Sequence, residues 1–215
     1  MIFHDRATAG RALARRVSHL KNKDVVVLGL PRGGVPVAFE VARELGAPFD
    51  VIVVRKLGVP FQPELAMGAV GEGGILIRNE LVIKMARVSA TQFSQVQAKE
   101  DEEVASRAVR FREGHSSVSL KTRIALIVDD GIATGSTAQA ACDVARALGA
   151  EKVILAIPVG SQEAIASLAT KADEVICLEI PRDFLAVGEW YEDFSPVSDE
   201  EVVELLRMSH KGIRA

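Results

Sequence analysis

The chain has 215 residues, 48% of them hydrophobic, enough for one sizeable core at roughly 100–200 residues per domain. Lysine and arginine number 26 against 29 aspartates and glutamates. The net charge of −3 argues against a general nucleic-acid binder, which would carry a basic face. Apolar residues recur throughout, which excludes disorder, and no apolar run approaches the roughly 20 residues of a membrane span.

The N-terminal MIFHDRATAGRALARRV lacks the apolar stretch of a secretory leader and is expected to form a small amphipathic helix. A soluble, cytoplasmic protein is expected. Residues 24–30 (DVVVLGL) form a continuous β-branched run, as in a strand buried on both faces. The turn Pro31-Arg32-Gly33-Gly34 follows, then helical spacing over 35–45 closed by Gly46, then a second buried strand at 49–55 (FDVIVVR). Strand, helix and strand in this order seed a parallel sheet.

Residues 57–74 interrupt the pattern with two prolines and five glycines, the composition of a lid or a disordered loop. Residues 79–113 predict one long or two shorter helices, breaking at Ser89 or Thr91, whose charges (KEDEEVASRAVRFRE) suit a solvated face. The alternation then resumes. Strands are expected at 123–128, 153–159 and 174–180, with helices at 136–148 and 162–171. The fold class is therefore α/β, a doubly wound and mainly parallel sheet in a single domain over 1–215, with 57–120 as flexible loop and helical insertion. Cys142 and Cys177 sit in apolar patterns and read as buried thiols, two being too few for a disulfide framework.

Open α/β sheets bind ligands at the carboxyl ends of their strands. The segment IALIVDDGIATGSTAQAA reaches that edge with Asp129 and Asp130, then Ala133, Thr134, Gly135, Ser136 and Thr137 opening a helix. Amide N–H groups at a helix start, with hydroxyls beside them, cradle an anion, and Gly135 lets backbone approach a phosphate. The adjacent carboxylates suit paired hydroxyls or a hydrated cation. Carboxylate-to-diol and amide-to-phosphate contacts in one loop imply a 5-phosphorylated ribose. No G-K-[ST] of a P-loop, no G-x-G-x-x-G and no G-x-S-x-G occurs, and the scattered histidines form no zinc pattern.

The whole segment resembles the phosphoribosyl-pyrophosphate (PRPP) motif of type I phosphoribosyltransferases: four apolar residues, two acids, a short linker, then T-G-x-T. The resemblance implies that Asp129 and Asp130 hold the ribose 2- and 3-hydroxyls and that residues 133–137 hold the 5-phosphate. It implies that Arg32, with the amides of Gly33 and Gly34, meets the leaving pyrophosphate, with Arg55 and Lys56 as further cations at the end of the second strand. Relatives often carry a cis peptide in that glycine loop. Residues 57–74 fall where the family carries its flexible catalytic loop, and 180–215 would supply a hood over the acceptor base and a C-terminal helix.

The hood loosely resembles the hypoxanthine–guanine branch. Phe184, Val187 and Trp190 are its acceptor-base candidates, and Asp193 is a candidate for a second Mg²⁺. Two departures keep the ring open. Ala133 stands where that branch has an acid–base aspartate, and AIPVG replaces the segment with its purine-reading lysine. The implied activity is Mg²⁺-dependent transfer of phosphoribosyl from PRPP to a base, purine favoured, with the metal bound mainly through PRPP. No nucleic acid or membrane partner is expected, and a homodimer is what the family suggests. The competing readings are a PRPP-binding regulator with little turnover and a transferase for an unusual acceptor.

Overall fold

The structure, a computed structural model, describes residues 2–212. Its main sheet contains β1 (Val25–Gly29), β2 (Phe49–Val51), β6 (Ile124–Val128), β7 (Lys152–Val159) and β8 (Glu174–Glu179), all parallel, in the order β2-β1-β6-β7-β8. Every residue of β1 is buried. Val25 and Val27 enter one apolar cluster, Val26 and Leu28 the other, so the β-branched run serves both faces. The helices that cover those faces are α1 (Arg6–Arg16), α2 (Gly34–Leu45) and α7 (Asp199–Gly212) on one side, with α5 (Ser136–Ala147) and α6 (Gln162–Leu168) on the other. From β1 the chain winds outward to β2, and from β6 it winds the opposite way to β7 and β8. The order reverses between β1 and β6, and the loops leaving those strands diverge around a crevice.

Two expectations are corrected in the middle of the chain. The second strand ends at Val51, and Val54 starts a separate antiparallel sheet of β3 (Val54–Val59), β4 (Gln62–Gly71) and β5 (Ile75–Arg78). Residues 57–59 and 62–71 are thus strands, joined by a turn and followed by a 3₁₀ turn over Glu72–Gly74. The glycines within the strands are packing positions: a Cβ on Gly68 would strike the carbonyl of Ile77, and one on Gly71 would lie 2.5 Å from Val144 of α5, whereas Gly73 and Gly74 turn the chain at positive φ. Glycine read from sequence as loop composition is here what lets the ribbon lie close to itself and to the core.

The insertion forms two helices, α3 (Glu80–Met85) and α4 (Ala90–Arg112), broken at Ser89, which caps α4 through a reciprocal box with Gln92. The end of α4 departs from the expected solvated face. Arg112 is buried, donating from Nε to Asp50 at 2.8 Å, from Nη1 to Glu72 at 2.5 Å and from Nη2 to the carbonyl of Val51 at 2.9 Å. One guanidinium thereby ties α4, β2 and the ribbon together.

After β8 a single turn of 3₁₀ helix (Val187–Trp190) precedes α7. Tyr191 bridges to Phe3, whose N–H donates to the carbonyl of Trp190 and whose own carbonyl accepts from the N–H of Glu192. The extreme N-terminus is therefore stitched into the segment expected to be the hood, a pairing no local pattern announces. Both thiols are free, and burial pushes Cys142 up to about 12 and Cys177 up to about 11. Among the described residues no helix is long and apolar enough to cross a membrane.

Candidate active site

The loops leaving β1 and β6 meet in the crevice. Leu30 N–H donates to the carbonyl of Val128 at 2.9 Å, which ties the two strand ends together. The Pro31–Arg32 peptide bond is cis. Gly33 lies so close to Asp130 that a Cβ there would collide with its Oδ2, and a Cβ on Gly34 would lie 2.6 Å from the carbonyl of Val128 and 2.7 Å from Cα of Asp129. These glycines admit no side chain because the acidic pair occupies that space. The GLPRGG loop and the DD pair, nearly 100 residues apart, form one surface.

Asp129 Oδ1 accepts from the amide of Asp130 at 2.9 Å. Burial, then the charge of Asp130, push the Asp129 carboxyl well above the usual aspartate range. Asp130 Oδ2 accepts from Nε of Arg6 at 2.8 Å, with both side chains close to 10% exposed (11% and 13%). Each carboxylate thus commits one oxygen to the protein. Asp129 Oδ2 and Asp130 Oδ1 receive no N–H donor among the described residues.

Beyond the pair, Ile132 is held between β7 and the following turn by its bonds to Val159 and Ser161, and Ser161 Oγ donates to the carbonyl of Ala133 at 2.7 Å. Ala133 and Thr134 are exposed, and Gly135 adopts φ +78, which ends the loop and starts α5 without any side-chain cap. There is no acidic residue in the first turn of α5. Its first N–H groups, beside the Thr134 and Ser136 hydroxyls 3.4 Å apart, therefore present an anion cradle.

Arg32 is half-exposed, its Nη1 3.6 Å from Asp199 at the start of α7, where Arg110 also binds at 2.7 Å. Arg55 and Lys56 lie at the start of the antiparallel ribbon, which corrects their expected place at the end of the second parallel strand. Arg55 binds Glu100 of α4 at 2.7 Å. Lys56 pairs with Glu64 at 3.2 Å and lines a cavity of about 410 Å³ between the ribbon and α5, together with Ser136.

The hood candidates cluster. Phe184, Val187 and Trp190 pack around Phe3, Ala9, Val159 and Tyr191, and Val187 abuts Gly131, where a Cβ would lie 2.5 Å from its Cγ1. The hood therefore rests directly on the residue after the acidic pair. Trp190 Nε1 is buried with no partner among the described residues. Asp193 makes its hydrogen bonds away from the acidic pair; its Oδ1 accepts from the N–H and Oγ of Ser195, which hold its carboxyl below the usual range. Among the described residues no three His, Cys, Asp or Glu side chains are grouped to hold a metal ion.

Sequence reasoning missed Arg6 and Tyr191. Arg6 is one of four arginines in its helix segment, and nothing in the spacing separates it from Arg11, Arg15 or Arg16. Tyr191 Oη donates to the backbone carbonyl of Asp130 at 2.5 Å, and burial followed by the Asp130 charge raises its phenol, keeping it a donor.

This arrangement has close counterparts. The crystal structure of TT1426 from Thermus thermophilus superposes with a TM-score of 0.88 at 43% identity, covering 96% of this chain and 98% of that one. The Mycobacterium tuberculosis proteins MT0597 and Rv0571c, both named provisionally as phosphoribosyl transferases, are 56% identical over 210 residues, 98% of this chain and 47% of their own. The chain thus spans about half the length of the curated relatives it matches. The family model for the phosphoribosyl transferase domain matches residues 3–194, from the N-terminal segment stitched to the hood through both crevice loops to the hood itself, and the chain belongs to that family.

Proposed function

We propose that this domain transfers the 5-phosphoribosyl group of PRPP to a nitrogenous base, a purine by preference, and releases pyrophosphate. The observation that carries the reading is the contact of Gly33 and Gly34 with Asp129 and Asp130, beside the uncapped start of α5. A diol acceptor, a phosphate cradle and a glycine loop then lie around one crevice, the three kinds of group that a 5-phosphorylated sugar with a 1-pyrophosphate would require. In this reading the amides of residues 135–137 and the hydroxyls of Thr134 and Ser136 hold the 5-phosphate. Asp129 Oδ2 and Asp130 Oδ1 accept the two ribose hydroxyls. Arg32 and the amide of Gly33 neutralise charge growing on the pyrophosphate, with Lys56 as a further cation; the Gly34 N–H is already given to the carbonyl of Leu30.

Positioning and electrostatics carry such a displacement, since C1 becomes cationic as the leaving group takes charge. Mg²⁺, held by PRPP oxygens and water, would supply additional charge neutralisation. The oxygen-rich crevice suits a metal that arrives with its ligand. Phe184, Val187 and Trp190, packed into the hood cluster beside Gly131, are the candidates to receive the base on their outer side. Asp193 would offer a metal its Oδ2, since Ser195 holds only Oδ1.

The test is pyrophosphate release from PRPP and Mg²⁺ with a panel of purines, pyrimidines and related heterocycles. Release that depends on one base identifies the acceptor. Ala133, which supplies no proton-transferring group beside the acidic pair, bears on which base is accepted, and the second reading, a PRPP-binding regulator, keeps the same crevice with little turnover. Calorimetric PRPP binding without release from any base would support that one instead.

A further inference from the structure

Arg6 opens α1 at the far N-terminus, yet its guanidinium is the most connected group in the crevice. Its Nε donates to Asp130 Oδ2 at 2.8 Å and its Nη1 to the carbonyl of Ser195 at 2.8 Å, while the ring of Phe194 lies 4.1 Å below its Cζ. The side chain is 11% exposed, so these contacts are little screened. Tyr191 fixes the same aspartate from the other side through its bond to the Asp130 carbonyl. Three residues of this set (Tyr191, Phe194, Ser195) belong to the hood, and the N-terminal segment that precedes Arg6 is itself paired with Trp190 and Glu192. Hood, N-terminus and acidic pair are therefore one connected unit.

We propose that Arg6 is a positioning residue for the acidic pair: it fixes Asp130 by one oxygen, so that Asp130 Oδ1 and Asp129 Oδ2 stand as a prepared acceptor pair for a vicinal diol, and it joins that pair to the hood. The proposal rests on the PRPP reading above for the identity of the diol. A carboxylate with both oxygens unheld rotates about its Cβ–Cγ bond and loses that freedom on binding. One held by a charge-assisted bond has lost it in advance. The guanidinium suits the task because its planar fork serves Asp130 and Ser195 at once while its face stacks on Phe194. A lysine ammonium supplies the charge without that geometry.

The test compares the wild type with Arg6→Met and Arg6→Lys by calorimetry with Mg²⁺, using PRPP and inorganic pyrophosphate as separate probes. Thermal unfolding confirms that each variant is folded, and Arg11→Met, whose half-exposed side chain faces Glu40 of α2 rather than the acidic pair, serves as control. Arg6→Met is expected to weaken PRPP at least tenfold and to leave pyrophosphate, which has no diol, unchanged. Arg6→Lys should recover part of the PRPP loss, and Arg11→Met should match the wild type. Equal PRPP affinity in wild type and folded Arg6→Met overturns the positioning role and leaves the PRPP reading standing. Parallel loss of both probes overturns it too, since that is general damage to the crevice. A wild type that binds pyrophosphate but not PRPP overturns the PRPP reading itself, and the inference with it.

Discussion

The crevice between β1 and β6 and the ribbon of β3–β5 are both rich in glycine, and they use it in opposite ways. In the crevice, Gly33 and Gly34 clear space for two carboxylates that the chain supplies elsewhere, so removing side chains brings functional groups together. In the ribbon, Gly68 and Gly71 clear space for backbone and for Val144, so removing side chains serves packing alone. The charges divide in the same way. Asp129 and Asp130 each keep one oxygen without an N–H donor among the described residues, whereas Asp50 and Glu72 spend theirs on Arg112 and on backbone amides of Val51, Val53 and Val118. A buried carboxylate satisfied on every side serves architecture, and one left half-satisfied beside a crevice is available for binding.

The largest effect expected is on the architectural side. Arg112→Met leaves Asp50 and Glu72 buried without their cation, and breaking a buried pair in this way costs about 3–5 kcal/mol. Urea denaturation should show that loss; a drop below about 1 kcal/mol would mean the network is solvated and the ribbon is held by its apolar contacts. Next is Gly33→Ala. The backbone there, at φ −60 and ψ −33, accepts alanine, so the whole penalty falls on the contact with Asp130. A displaced carboxylate should cost about 100-fold in PRPP affinity, about 2.7 kcal/mol, with the fold intact. Unchanged affinity by calorimetry would remove Asp130 from the ligand.

How much of this was readable in the sequence follows the same division. The five sheet strands and the helices after them were legible because strands buried on both faces, such as 24–30, write themselves as unbroken apolar runs. The motif at 123–137 was legible because its parts are consecutive. The ribbon was not. Its strands are amphipathic and glycine-rich, with β4 exposed over its first four residues, so they share the composition of a loop. Arg112 was hidden for a related reason: it stands in a run of charges that mostly face solvent, and only its distant partners Asp50 and Glu72 set it apart. Arg6 likewise gains its meaning from Asp130 and Ser195, 124 and 189 residues away. Contacts of that separation leave no local period to read.

A smaller effect tests whether the crevice gives up stability for binding. Asp129 has its folded pKa raised above an ordinary 3.8, so the folded state holds its proton more tightly than the unfolded one. The penalty of ionising it is absent below that ordinary value, grows as pH rises toward the raised folded pKa, and is constant beyond. Asp129→Asn keeps an oxygen for the Asp130 amide and removes the charge. It should therefore raise Tm by a few degrees at pH 7, with the gain vanishing below about pH 4, while PRPP affinity falls. A variant whose gain persists at about pH 3 would owe it to something other than the carboxylate.

The smallest effects bear on the two cations that begin the ribbon, where architecture and binding meet. Lys56 is paired with Glu64, which is 93% exposed, so that bond is weak and easily exchanged for a ligand, and Lys56 shares a cavity with Ser136, proposed above to hold the 5-phosphate. Arg55 is held by Glu100, 13% exposed, and a ligand would have to compete with that carboxylate. Lys56→Met should lower PRPP affinity by up to about fivefold, near 1 kcal/mol, with stability unchanged within about 0.5 kcal/mol. Arg55→Met should do the reverse, costing up to about 1 kcal/mol of stability with the smaller change in affinity. Paired calorimetry and denaturation on the two variants read this directly. If Arg55 carried the larger affinity loss, Glu100 would have to release it on binding, and the ribbon would move against α4 as the ligand enters.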